Sequence, residues 1–424
     1  MTTIPVDERS VRYEGWRVAA VSGIGVVFAS MAAYGFSVLL KPLSLEFGWS
    51  RETTSTAYSW FTLASALAAP MLGPLLDRSG PLRVVLPCMV ANGLGIALLS
   101  TMTASPARLY LLYSVLGLAV IGASPLAFSR TVSTWFDARR GSALALVIAG
   151  GAVGSMVHPP VIDALIRMTG WRTACLIMGA VVVGVGVPLV ALFVRERQAG
   201  VGWSPVETSG ATMSAAVRSR TFWTLIVVIA GAAIAFNGVV VHIVSLLTDR
   251  GVASGRAAIA LSVMGAAGLT GRLITGWLID RFRANYVSAA LLALAAAGIF
   301  LLSSSTSFNS ALGAAAMIGF GMGGELDVTP FLLSRYFGLR SLSTLYGIVW
   351  LAMGGGASIG SLVMGRAFDA SGSYDGMLAN LAAGTLFVAL LMLTLPAYRR
   401  VQSEQPAAGG TVLVPATNSN PKSS

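Results

Sequence analysis

Five ionisable side chains stand deep inside apolar stretches of this chain: Arg272, Glu325, Asp327, His158 and His242. An Arg or Asp at the centre of a membrane helix costs about 2.5–3.5 kcal/mol, so such groups must face a protein interior or a wet cavity. Their types suit the binding of a small anion and the carriage of protons. The guanidinium of Arg272 is a planar fork of donors that matches a carboxylate. It lies ~12 Å deep if the eight residues to Asp280 are helical, and no other cation reaches that depth. The competing reading is a structural Arg tied to helix-end carbonyls or snorkelling to the surface. Glu325 and Asp327 follow a run of glycines from Gly319 to Gly324. Residues two apart do not share a helix face, so one acid faces a cavity and the other packs against a neighbour. Either is also a structural partner for Arg272. His242, near the outer end of its segment, either meets substrate or protons from outside or is a satisfied packing residue. His158 precedes Pro159 and Pro160; Pro160 deprives the Met156 carbonyl of its helical donor, so the imidazole either helps satisfy a kinked backbone or belongs to the site. Trp60 and Trp350 are equally readable as cavity walls for an organic substrate, as lipid-facing residues or as packing.

The elements that must position these groups are membrane helices. Hydrophobic residues make up 55% of the 424 and charged residues only 11%, with a mean hydropathy of +0.77. So few charges cannot cover a soluble surface. Apolar runs long enough to span a bilayer recur, and in lipid each must be helical. Twelve spans are expected, at roughly 17–40, 54–76, 84–104, 108–130, 141–166, 171–194, 222–247, 257–279, 285–304, 308–333, 341–365 and 376–397. The first is too long for a signal-peptide core and is read as retained. Of the 28 Lys and Arg, 19 fall on one side of this arrangement, 8 on the other, and Arg272 between. The positive-inside rule then puts both termini in the cytoplasm of a multi-pass protein of the inner (plasma) membrane. The same asymmetry accounts for the net charge of +11 without nucleic acid. Cys88 and Cys175 read as small packing residues, and two histidines make a metal centre unexpected. No cofactor is expected, and no phosphate-binding Gly-x-x-x-x-Gly-Lys loop is present.

The chain repeats itself. Gly73-Pro-Leu-Leu-Asp77-Arg78 returns as Gly276-Trp-Leu-Ile-Asp280-Arg281, each after the second apolar segment of its half. Trp135-Phe136 before Arg139-Arg140 has its counterpart in Tyr336-Phe337 before Arg340, and the glycines 150, 151 and 154 theirs in 354, 355, 356 and 360. Duplicated halves in a membrane protein suggest a transporter with its site between them. The expected organisation is an N-terminal six-helix bundle over 1–196, a cytoplasmic linker over 197–220, a C-terminal six-helix bundle over 221–400 and a disordered cytoplasmic tail over 401–424.

These features together resemble the major facilitator superfamily. The resemblance implies an all-α membrane fold of twelve transmembrane helices in two pseudo-symmetric six-helix bundles. It also implies a gating role for Gly73, Asp77, Arg78, Gly276, Asp280 and Arg281, whose Asp-Arg pairs lock helix ends on the cytoplasmic face in one state and release in the other. Placement by topology alone would explain the charges but not the matching glycines. A narrower resemblance is to the monocarboxylate transporters and oxalate/formate-type exchangers. It is carried by Glu14-Gly15-Trp16, by Trp135-Phe136 through Arg139-Arg140 to Ala149-Gly150 and Gly154, and by Gly271-Arg272. It implies that Arg272 binds substrate. Tyr34 stands where animal members carry a Lys, Gly268 where they carry an Asp, and 344–356 lacks the exchangers' base.

The function expected is secondary transport of a small organic anion, a monocarboxylate, by alternating access with proton coupling, in a monomer. Protonation of the acid that holds Arg272 would free the guanidinium for the substrate. The alternatives are an efflux pump for lipophilic drugs or metabolites, and a sensor that binds without flux. No nucleophile–base pair suggests an enzyme.

Overall fold

The computed structural model describes residues 10, 13–136, 139–195, 211–338 and 341–396, with the backbone alone at 73, 77, 280, 326, 327, 342 and 343. The expected tail and most of the expected linker lie outside the described residues. The first crossing is α1 (Glu14–Ala29) and α2 (Met31–Phe47), offset at Ser30. Then come α3 (Arg51–Ser79), α4 (Pro81–Leu99), and α5 (Pro106–Gly122) with α6 (Pro125–Ser133) as the fourth crossing. After α7 (Arg140–Thr169), α8 (Trp171–Val181) and α9 (Val187–Phe193) form the sixth, joined by a π-helical turn. A short α10 (Met213–Val217) leads to α11 (Arg220–Asp249), α12 (Ser254–Arg281), α13 (Ala284–Ser304), α14 (Phe308–Phe337), α15 (Leu342–Ser371) and α16 (Asp375–Leu393).

Local chemistry sets these boundaries. The hydroxyls of Ser50, Ser219 and Ser307 accept the backbone N–H of Thr53, Phe222 and Ser310 at the starts of α3, α11 and α14. Proline opens α4, α5 and α6, where its missing N–H costs nothing. Ten of the crossings are apolar enough to be recognised by hydropathy among the described residues. The other two are α3 and α14. The first lines its packing face with Ser and Thr, and the second carries Glu325 and Asp327; both exchange hydropathy for polar residues.

The duplication is built into helix contacts. A Cβ at Gly117 of α5 would lie 2.2 Å from the Phe61 carbonyl oxygen of α3. A Cβ at Gly319 of α14 would lie 2.0 Å from that of Met264 in α12. Phe61 and Met264 are separated by the same interval as Asp77 and Asp280, so both halves close the same helix pair on the same missing side chain. The Gly-rich stretches of α7 and α15 repeat the device against α1 and α11.

Each half is also tied by an ion pair between its first and last crossings, at the face opposite the ends of the described chain (the far face; the other is the terminal face). Arg172 holds Glu46 at 2.6 Å and the carbonyls of Ser100 and Met102 at the end of α4. Arg250 holds Asp375 at 2.5 Å and the carbonyl of Leu302 at the end of α13. Arg172 and Asp375 stand at the 203-residue interval of the repeat, and Arg250 stands one residue past the counterpart of Glu46, which is Asp249. The duplicated tie is kept with its charges exchanged.

Candidate functional site

Midway through the molecule, residues from both halves converge. Arg272 is half-buried on α12. From the other half, Tyr34 of α2 lies within electrostatic reach of its guanidinium and faces the Ser155 hydroxyl of α7. Two close contacts fix this geometry: a Cβ at Gly265 would lie 2.2 Å from Ser155 Oγ, and the Ser262 hydroxyl donates to the Met156 carbonyl at 2.6 Å. That carbonyl is the one Pro160 leaves without a helical donor. The donor comes from the opposite half, not from His158.

Glu325 turns toward α11 and α15. With Thr329, Ile229, Tyr346 and Trp350 it lines a pocket of about 10 Å³, enough for about one water. Tyr346 and Trp350 meet edge to face at 6.2 Å. Among the described residues Glu325 makes no ion pair, and no cation is among the influences on its carboxyl. Of the two expected partners for Arg272, Glu325 does not hold it in this state. The side chain of Asp327 lies outside the description. Its backbone position is one turn beyond Gly323, as Arg272 is one turn beyond Gly268. Those two glycines pack against one another, a Cβ at Gly323 lying 1.9 Å from the Gly268 carbonyl oxygen. The side chain missing at Gly323 is what lets the two helices close here, while a Cβ at Gly268 itself would lie 3.2 Å from the Gly319 carbonyl oxygen, a tight contact.

The histidines have partners away from the convergence. His158 is buried, and its Nε2 donates to the Val27 carbonyl at 2.8 Å, at the offset between α1 and α2. His242 is fully buried; Nε2 donates to the Ser361 carbonyl at 3.0 Å, and Nδ1 lies 3.2 Å from the Tyr374 hydroxyl. It bridges α11 and α15 with both nitrogens engaged. Trp60 shares an exposed stripe of α3 with Leu67, Met71 and Leu75, turned away from both α5 and α15, while Trp350 stands beside Glu325. Of the duplicated turns, Arg78 is exposed at the end of α3, and Arg281 lies over the Trp277 ring at 3.8 Å. A Cβ at Gly276 would meet open space, so that glycine is not a packing requirement in this state. The packing around Gly73 and the side chains of Asp77 and Asp280 lie outside the description.

The halves are clasped at the far face by charged residues at or near helix ends. Asp249, ending α11, accepts from Lys41 Nζ at 2.5 Å and from Arg51 Nη2 at 3.2 Å. Asp369 of α15 accepts the backbone N–H of Arg51 and Glu52 at 2.8 and 2.7 Å, capping the N-terminus of α3 where its dipole favours an anion. Deeper, Ser59 and Ser358 exchange hydroxyl-to-carbonyl hydrogen bonds at 2.8 and 2.9 Å, and Ser361 donates to the Ser55 carbonyl at 3.0 Å. Between described residues, the hydrogen bonds and ion pairs that join the halves all lie from the far face to the middle. The site is closed from the far side.

Two helical bundles enclosing a polar centre between them, clasped at the far face, define a membrane transport protein. The chain belongs to the Major Facilitator Superfamily, whose profile matches residues 23–361. An uncharacterized MFS-type transporter of Escherichia coli K12, YhjX, is 27% identical over 346 residues, 78% of this chain and 83% of that protein. Monocarboxylate transporter 13 of Bos taurus is 25% identical over 392 residues, 90% of this chain and 89% of that protein. The crystal structure of a bacterial homologue of the human lysosomal transporter Spinster, inward-facing and unoccupied, superposes with a TM-score of 0.68. It covers 91% of this chain and 95% of that one at 17% identity, which speaks to the fold alone.

Proposed function

We propose that this protein transports a small organic anion, a monocarboxylate, by alternating access, with a proton as the coupling ion. The observation that carries the reading is the meeting of Arg272 from one half with Tyr34 and Ser155 from the other, at mid-depth and between the bundles. A guanidinium fork takes both oxygens of a carboxylate. Two hydroxyls from the facing half give the anion a reason to draw the halves together, and only a ligand that touches both halves can bias their rocking. The positions of the N-terminal half that correspond to Arg272 and Glu325 are Ala69 and Ala123, so the charged chemistry belongs to one half and the other supplies neutral contacts. The similarity to monocarboxylate transporters agrees with this substrate class.

In this reading the terminal face is cytoplasmic, by the distribution of Lys and Arg. The protein sits as a monomer in the plasma membrane, and the state described is held shut at the opposite face. Position 327 is the acid whose backbone register suits Arg272. Glu325, on the pocket beside Trp350, is the carboxyl placed to carry a proton without first breaking an ion pair. The test is uptake of a labelled series of mono- and dicarboxylates into proteoliposomes, with and without an inward proton gradient. Saturable monocarboxylate uptake that the gradient accelerates and Arg272→Ala abolishes is expected. Carboxylate uptake by Arg272→Ala at the wild-type level, or wild-type flux only of uncharged lipophilic compounds, overturns the proposal.

A further inference from the structure

On the membrane side of the C-terminal half, away from the convergence at Arg272, a groove of about 780 Å³ opens where α12 ends and α13 begins. Its two ends differ in chemistry. At the terminal face the mouth carries Arg281, Arg283 and Tyr286, all exposed. The remainder is apolar, running along α13 past Ala290 to Leu294, with Phe320 of α14 behind. From Arg283 to Leu294 is ~16 Å along a helix, close to the half-thickness of a ~30 Å hydrocarbon core. The guanidinium of Arg281 is laid over Trp277, 3.8 Å from the ring centroid. Arg283 is the N-cap residue of α13, so the dipole of that helix adds to the positive mouth.

We propose that this groove binds an anionic phospholipid of the leaflet at the terminal face, its headgroup phosphate at Arg281 and Arg283 and one acyl chain along α13. The dimensions suit a single chain, the charge selects the headgroup, and the groove opens where such a lipid resides. The site is independent of what the protein transports.

The test is competition between phosphatidylglycerol and phosphatidylcholine for the purified full-length protein, both offered in equimolar mixed micelles and read as retained lipid by native mass spectrometry. The wild type is expected to retain phosphatidylglycerol several-fold over phosphatidylcholine. Arg283→Gln should reduce that preference about fivefold, the effect of one basic residue near an anionic headgroup. Ala290→Trp, which fills the groove and leaves the charges in place, should lose retention of both lipids. Arg218→Gln, an exposed terminal-face arginine outside the groove, is the control and should retain the wild-type ratio. Equal retention of the two lipids by the wild type would overturn the proposal. So would unchanged retention in Ala290→Trp, or a loss of preference in Arg218→Gln as large as in Arg283→Gln, which would mark a generally positive face with no built site. Melting temperatures within a degree or so of wild type separate loss of lipid from loss of fold; a melted variant is replaced by Ala290→Phe, read in the same way.

Discussion

Arg272 is the residue on which the anion reading turns, because its chemistry cannot be supplied by its neighbours. Tyr34 and Ser155 can donate to an oxygen but cannot neutralise it. Truncating a buried charged contact costs about 2–5 kcal/mol, so Arg272→Ala should lower substrate affinity at least ~30-fold. Arg272→Lys keeps the charge and loses the fork, and should weaken binding by an intermediate amount. Isothermal titration of purified protein checks both; a Lys variant weaker than the Ala variant would mean that the guanidinium is structural. Glu325 and Asp327 separate by a different readout. If Glu325 carries the proton, Glu325→Gln should retain substrate exchange and lose uptake driven by a pH gradient, while Asp327→Asn should shift affinity through Arg272. Gradient-driven uptake intact in Glu325→Gln and absent in Asp327→Asn would move the proton to Asp327.

The helices explain which of these positions stand out in the sequence. Arg272, Glu325 and Trp350 announced themselves because a charge or an indole inside an apolar stretch needs a reason wherever the helix packs. The glycines of α14 were legible as close packing, but not that their partner would be the Gly268 backbone. The histidines were conspicuous and ambiguous for one physical reason. A buried imidazole is satisfied equally by a substrate or by a neighbouring carbonyl, and His158 and His242 each found a carbonyl. The far-face clasp left no trace. Lys41, Arg51, Asp249 and Asp369 look like ordinary charges at segment ends, and nothing in hydropathy pairs residues two or three hundred positions apart. The clasp makes its own prediction. Asp249 is partly exposed, so each of its pairs is worth ~0.2–1 kcal/mol, and the Asp369 cap ~0.5–2 kcal/mol. Asp249→Asn with Asp369→Ala should shift the balance of states at least about fivefold toward opening at the far face. Ser59→Cys, half-buried against Ser358 when the clasp is shut, reports this through its rate of labelling by a membrane-impermeant maleimide added at that face. An unchanged rate would show that the deeper Ser59–Ser358 contacts alone hold the halves.

For the whole molecule, alternating access requires that neither face be held much more tightly than the other, since a ligand shifts a two-state balance only by its differential affinity. The far face has a clasp of known geometry. The terminal face has the duplicated Gly-x-x-x-Asp-Arg turns at the ends of α3 and α12, on the side that stands unclasped between described residues. If those turns lock the terminal face in the opposite state, the two devices pull one equilibrium in opposite directions. Asp77→Asn or Asp280→Asn should then favour the state described here, lowering transport rate more than substrate affinity. Asp249→Asn should favour the other state. Combining Asp280→Asn with Asp249→Asn should restore the balance, so the double variant is expected to transport faster than the slower of the two single variants and to label at Ser59→Cys at a rate near wild type. Independent devices would multiply their defects instead. A double variant slower than both single variants, with Ser59→Cys labelling unmoved by Asp280→Asn, would leave the duplicated turns as markers of topology and assign the switch to the far face alone.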